Sequence, residues 1–110
     1  MRRVDEAMRE VLSSAVLDLK DPRIGFVTVT SVDTSPDLSH ATVWVSVLGT
    51  ETERNLSLDG LRSAHGLLQR RVATELRFKR TPTLTFVYDD TADRAERVEQ
   101  ILRDEAGDDE

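Results

Sequence analysis

The sequence predicts an α+β fold, with one layer of helices packed on one face of a three-stranded sheet. Three observations carry this. Two stretches rich in β-branched residues, 25–33 and 40–48, lie on either side of a turn. Amphipathic helical patterns precede and follow them. A third alternating stretch, 83–88, comes only after those later helices, so it reaches the sheet by a crossover. The order is α-β-β-α-kink-α-β-α, and a single helical layer is its economical packing.

The first helix covers residues 2–19. Val4, Met8, Val11, Leu12, Ala15 and Leu19 recur on one stripe. Asp21-Pro22 stops it, because a residue before proline is pushed out of the α region. In the second strand Ala41, Val43, Val45 and Val47 alternate with His40, Thr42, Trp44 and Ser46, which gives one covered face. Thr34 to Ser39 joins the strands as a hairpin loop, with Pro36 and Asp37 as turn formers. Thr50 or Thr52 caps a helix that runs to about Ala64, with Leu58 and Leu61 inward. Gly66 interrupts a pattern that resumes at once with Leu67, Leu68, Val72 and Leu76. An interior glycine costs a helix about 1 kcal/mol, so a kink between two helices is the better reading. Thr81-Pro82 ends the second of them. Leu84, Phe86 and Tyr88 share one face of the third strand. Asp90 opens a last helix, with Asp93 at capping-box spacing and a narrow stripe of Val98, Ile101 and Leu102.

At 110 residues the chain suits one domain, placed at 1–103, with an acidic, disordered tail at 104–110. Hydrophobic residues make up 38% and charged residues 33%, the balance of a folded, soluble chain. No run approaches the ~20 apolar residues of a membrane span, and no signal-peptide pattern opens the sequence. The absence of cysteine removes disulfides, thiolate metal sites and a cysteine nucleophile, and makes the cytosol the natural compartment. The net charge of −6 is concentrated at the C-terminal end. Residues 1–80 carry 12 Lys/Arg against 11 Asp/Glu, whereas residues 81–110 carry 3 against 10. Screening over about 8 Å lets a basic patch on the body act independently of that end.

One such patch is visible. Arg70, Arg71, Arg77, Lys79 and Arg80 fall close together, opposed only by Glu75. Arginine forks suit phosphate oxygens, although cations at a helix C-terminus also favour the dipole. Arg2, Arg3 and Arg9 form a weaker group at the start. Trp44 lies opposite the Val43/Val45 face, where it either stacks a base or packs half-buried against neighbouring strands or the last helix. The break at Ala64-His65-Gly66 lies between two helices, where some RNA-binding folds place a GXXG clamp. No two glycines here have that spacing, and taken alone Gly66 reads as a helix C-cap.

The catalytic search is negative. His40 and His65 have no visible nucleophile partner, and none of the common hydrolase, zinc, Walker or dinucleotide motifs occurs. Asp89-Asp90 is better explained by helix capping than by metal binding.

Four segments in order resemble the ribosome-binding factor A family over about residues 3–103. They are Leu19 to Thr30, Ser35 to Ala41, Val45 to Gly49, and Arg77 to Pro82 followed by Leu84-Thr85-Phe86 and Asp89-Asp90. After that last pair the family tends to show a serine and a glycine where this chain has Thr91 and Ala95. The resemblance implies a KH-like, type II-related domain in which an Ala-x-Gly kink, here Ala64-His65-Gly66, replaces the GXXG loop. It implies binding to the small ribosomal subunit and its ribosomal RNA late in maturation, with links to rRNA processing and cold adaptation. It implies no catalysis, cofactor, metal or small-molecule substrate, a cytoplasmic location and, as expected here, a monomer. Arg70, Arg71, Arg77, Lys79 and Arg80 become the phosphate-facing group on the helix after the kink, with Arg2 and Arg3 as further candidates. The alternatives are a general single-stranded RNA-binding KH-like module and a protein-interaction domain that works through its acidic tail.

Overall fold

The computed structural model describes residues 3–108. Helix α1 spans Arg3–Leu17 and buries Met8, Leu12 and Ala15 completely. It ends two residues earlier than the stripe suggests. Asp18 and Leu19 turn back through N–H bonds to the Ala15 and Val16 carbonyls, at 3.1 and 3.2 Å, before Pro22 is reached.

Strands β1 (Phe26–Thr34) and β2 (His40–Leu48) form the expected antiparallel hairpin. The register runs from Phe26↔Leu48 to Thr34↔Ala41, with an irregularity at Thr30, between Val29 and Ser31. The bulged Thr30 hydroxyl donates to the Trp44 carbonyl at 3.1 Å and to Asp89 Oδ2 at 2.8 Å. The loop is held by Asp37. Its Oδ1 accepts from the Ser35 and Ser39 hydroxyls, both at 2.7 Å, and from the Ser39 N–H at 3.1 Å.

Gly49, with φ of +134°, makes the turn out of β2 that only glycine adopts without strain. Helix α2 (Glu51–Ser63) follows with a complete capping box: Thr50 Oγ1 accepts from the Glu53 N–H, and Glu53 accepts from the Thr50 N–H, each at 3.1 Å. Leu58 and Leu61 face inward as expected. Helix α3 covers His65–Leu76 and buries Leu68 and Val72. Strand β3 (Thr83–Tyr88) pairs with β2 in parallel, from His40↔Thr83 to Val45↔Tyr88. The sheet order is β1-β2-β3, so β2 is central.

The helices α1, α2 and α3 all pack on one face, over Val29, Val32, Ala41, Val43, Val45, Leu84 and Phe86. Burying each large side chain such as Met8, Leu12, Leu61 or Leu68 stabilises the fold by about 1.5–3 kcal/mol. Gly60 permits the close approach of α2 to the loop after α1. A Cβ there would lie 2.6 Å from Ile24 Cγ1. The other face of the sheet presents Thr42, Trp44, Ser46, Thr85 and Val87, exposed or half-buried.

Helix α4 (Thr91–Asp108) stands apart from this body. The radius of gyration is 16.8 Å and the long axis 63 Å, against about 13 Å for the radius of a compact chain of this length. Val98, Ile101 and Leu102 form the stripe read from the sequence, but they are exposed, so the stripe does not enter the core. The helix continues through the acidic segment from Asp104 as far as Asp108.

Candidate nucleic-acid interface

The break between α2 and α3 is a single residue. Ala64, at φ −86° and ψ 7°, gives its N–H to the Gly60 and Leu61 carbonyls at 3.0 and 3.1 Å. Its own carbonyl accepts from the Leu68 N–H at 3.0 Å and so begins α3. The kink read at Ala64-His65-Gly66 is therefore present, but it turns at Ala64, and Gly66 is neither a C-cap nor a positive-φ residue. A Cβ on Gly66 would meet only the Arg70 guanidinium, at an ordinary 3.8 Å. Neither backbone strain nor crowding requires glycine at this position. What glycine does provide is bare, exposed backbone beside Arg70.

The basic residues divide into two groups. Arg71 is half-buried and committed. Its guanidinium donates to Glu75 at 2.5 Å and to Asp18 at 3.1 Å, pinning α3 to the end of α1. Those two carboxylates, Glu75 first, hold its pKa above the ordinary value. Arg70, Arg77, Lys79 and Arg80 are exposed and make no ion pair among the described residues.

Three of the five do not stand on the helix. Helix α3 ends at Leu76, before Thr81-Pro82. Arg77 caps it in the left-handed conformation, φ 56° and ψ 42°, with its N–H on the Ala73 carbonyl at 2.9 Å. Lys79 and Arg80 follow in the loop to β3. This conformation, usual for glycine at a helix end, turns the chain out of the helix well before the proline.

That loop lies at a definite end of the molecule. Thr83 N–H bonds the Ser39 carbonyl at 2.9 Å, so the loop enters β3 beside the hairpin turn. The start of α1 reaches the same end, because the buried Asp5 carboxylate accepts the Thr34 N–H at 3.0 Å. Arg3, exposed two residues earlier, therefore stands at this end as well. Arg2 lies outside the described residues. Trp44 is half-buried at the centre of the open sheet face, level with Ser31 and Val87. None of the three strands contains a lysine or arginine. An aromatic platform for single strands works beside cations, and Trp44 has none on its face.

The start of α4 is built differently from the capping box expected of Asp90 and Asp93. Asp90 does hold the N-cap position, its carbonyl accepting from the Arg94 N–H at 2.9 Å. The side chain that meets the first helical residue is that of Asp89, accepting from the Thr91 N–H at 3.0 Å and the Thr91 hydroxyl at 2.6 Å. Those bonds, with the one from Thr30, draw its pKa below the usual carboxylate range. Asp93 instead accepts the Tyr88 hydroxyl at 2.7 Å and lies 3.6 Å from Arg54, whose guanidinium sits 4.1 Å over the Tyr88 ring. The bond to Asp93, then burial, raises the Tyr88 pKa. This latch joins residues far apart in the sequence, and no local pattern announces it. No cluster of His, Asp and Glu among the described residues is arranged to hold a metal ion, and no described helix is long and apolar enough to cross a membrane.

Fold and site together define a KH-like α+β domain. A one-residue break joins α2 to α3, and a loop of cations without an ion pair among the described residues leads into the last strand. A family model described as ribosome-binding factor A matches residues 1–102, and the chain belongs to that family. A ribosome-binding factor A of Anaeromyxobacter sp. (strain K) is 50% identical over 104 residues, 93% of this chain and 75% of that protein. One of Geobacter metallireducens is 40% identical over 103 residues, 93% of this chain and 87% of that one. The crystal structure of ribosome-binding factor A from Thermus thermophilus matches with a TM-score of 0.69 at 29% identity, covering 76% of this chain and 88% of that one. A homology model of the Thermus thermophilus protein, fitted into the cryo-EM map of a 30S complex with that factor, matches with a TM-score of 0.67 at 28% identity, covering 77% and 90%.

Proposed function

We propose that this chain is a non-catalytic assembly factor that binds the ribosomal RNA of the small subunit late in its maturation. It acts in the cytoplasm as a monomer, without cofactor or small-molecule substrate. The observation that carries the reading is the set of exposed cations after the helix break, Arg70, Arg77, Lys79 and Arg80, which make no ion pair among the described residues. Family membership and the 30S complex of a relative support the choice of partner. Phosphate contacts from these cations position the domain and carry little sequence information. Bare backbone at Gly66 lets an RNA strand come close to α3. Binding one RNA conformation more tightly than its competitors shifts their populations, which is the work of an assembly factor. A general single-stranded RNA module is the weaker reading, because the Trp44 face lacks cations. Docking by the acidic tail would leave the unpaired cations without a role.

The test is co-sedimentation with purified small subunits over a salt series, with large subunits and unstructured RNA as controls. With about four phosphate contacts, raising salt from about 50 to about 200 mM weakens binding by roughly 50–150-fold. A variant with Arg70, Arg77, Lys79 and Arg80 changed to Gln loses both the affinity and the salt slope. Gly66→Ala keeps or improves stability, by up to about 1 kcal/mol, but weakens binding. Equal affinity for unstructured RNA favours the general module. No binding to small subunits by the folded protein at low salt overturns the proposal. Binding that the Gln variant keeps and removal of residues 104–110 abolishes moves the site to the tail.

A further inference from the structure

We propose that α4 is a strap. It closes over the open face of the sheet, setting its acidic end against the Arg77–Arg80 loop in competition with RNA. The competition rests on the reading that this loop binds RNA, whereas the closure does not.

Two uncovered surfaces on one chain point to it. Val98, Ile101 and Leu102 are 57%, 57% and 60% exposed on a helix that has no broad contact with any other element. The open sheet face presents Trp44 level with Val87 and Thr42 level with Thr85, with no helix above them. The stripe is too small for a second molecule, since a stable interface buries about 800 Å² on each partner. An intramolecular contact needs far less, because the tether supplies the effective concentration.

The lengths agree. Helix α4 begins just after the end of β3, and the basic loop lies just before its start. Eighteen helical residues span about 27 Å, and six strand residues about 20 Å. Laid back antiparallel to β3, α4 runs its stripe along the Trp44–Val87 and Thr42–Thr85 rows. Asp104 and Glu105 then fall beside Lys79 and Arg80. The charges agree as well. Residues 91–110 carry three arginines against eight acids, while the loop cations are unpaired.

The extended position is held at the other end by Asp93, through Tyr88 and Arg54. These contacts are partly open to water, so giving them up costs little. Asp90 is the hinge, next to Asp89, which stays tied to the sheet by its N–H on the Val45 carbonyl at 2.7 Å and by the Thr30 hydroxyl.

Trp44 is the only tryptophan, and the closed strap covers it. The test is acrylamide quenching of its fluorescence in the wild type, an Ile101→Gln/Leu102→Gln variant, Asp93→Ala, and a chain ending at Asp90. If the strap is closed about half the time, the Gln variant and the shortened chain show about twofold greater quenching. Asp93→Ala shows less quenching than the wild type. Salt raises quenching in the wild type and not in the Gln variant. Equal quenching in all four overturns the closure, and the shortened chain makes this independent of whether the Gln variant keeps its helix. In co-sedimentation the Gln variant binds small subunits about twofold tighter, since the competent fraction is restored. A quenching change without that gain overturns the competition and leaves the closure standing. A quenching change with no subunit binding by any of the four chains leaves the closure standing and overturns the RNA reading instead.

Discussion

Arg77 occupies a position where glycine is the low-energy choice. A left-handed L-residue costs roughly 1–2 kcal/mol, so Arg77→Gly is expected to raise the urea midpoint, by about 1 kcal/mol of stability. The same change removes one cation from the loop and weakens binding to small subunits. A gain in stability paired with a loss of binding is the signature of a residue kept for its side chain. Asp37 behaves in the opposite way, since its charge serves the fold. Hydrogen bonds from Ser35, then Ser39, draw its pKa from the ordinary carboxylate value down to about 2. A depressed folded-state pKa means the stabilisation is complete above the unfolded value, about 3.9. It is lost as pH falls from there through about 2. An NMR titration of the Asp37 carboxyl should show that midpoint, and Asp37→Asn should flatten the acid limb of stability over the same window.

Among the elements, the two helical glycines of the α2–α3 unit separate packing from surface. Gly60→Ala must displace Ile24 and the loop behind it, an overpacking that costs about 1–3 kcal/mol by chemical denaturation. Gly66→Ala displaces nothing. The sequence marks Gly66 as a break and gives no sign of the crowding at Gly60, because the atom that decides, Ile24 Cγ1, lies 36 residues away along the chain. Elements with a strong local signal are legible: β2 is read at its true bounds from alternation, and α2 from Thr50, one of the two caps the sequence offers. The end of α3 is not, since no rule of residue preference puts an arginine in the left-handed region. The start of α4 is legible only in part. Asp90 opens the helix through its carbonyl, but the side-chain bond to Thr91 comes from Asp89, and Asp93 is drawn away by Tyr88 and Arg54.

At the scale of the molecule, the fold class, the element order and the crossover follow from the sequence, because periodicity and turn chemistry are local. The candidate site is legible only as composition. Five clustered cations are plain to read, but which are free depends on Asp18, brought to Arg71 by the packing of α1 on α3. The standing-off of α4 is equally hidden. Its stripe resembles that of a core helix, and only the finished body shows that α1, α2 and α3 already fill the covered face.

The parallel pairing of β3 with β2 has a consequence for the order in which the chain can be made. During synthesis the hairpin and α1 emerge first, but the outer edge of β2 has no neighbour until Tyr88 has appeared. For the forty residues from Gly49 to Tyr88, a row of backbone donors and acceptors on a valine-rich strand stays unmet. The nascent protein is then most open to pairing with the wrong strand. A pause in translation before Tyr88 is thus the interval in which a chain of this topology is most exposed to aggregation.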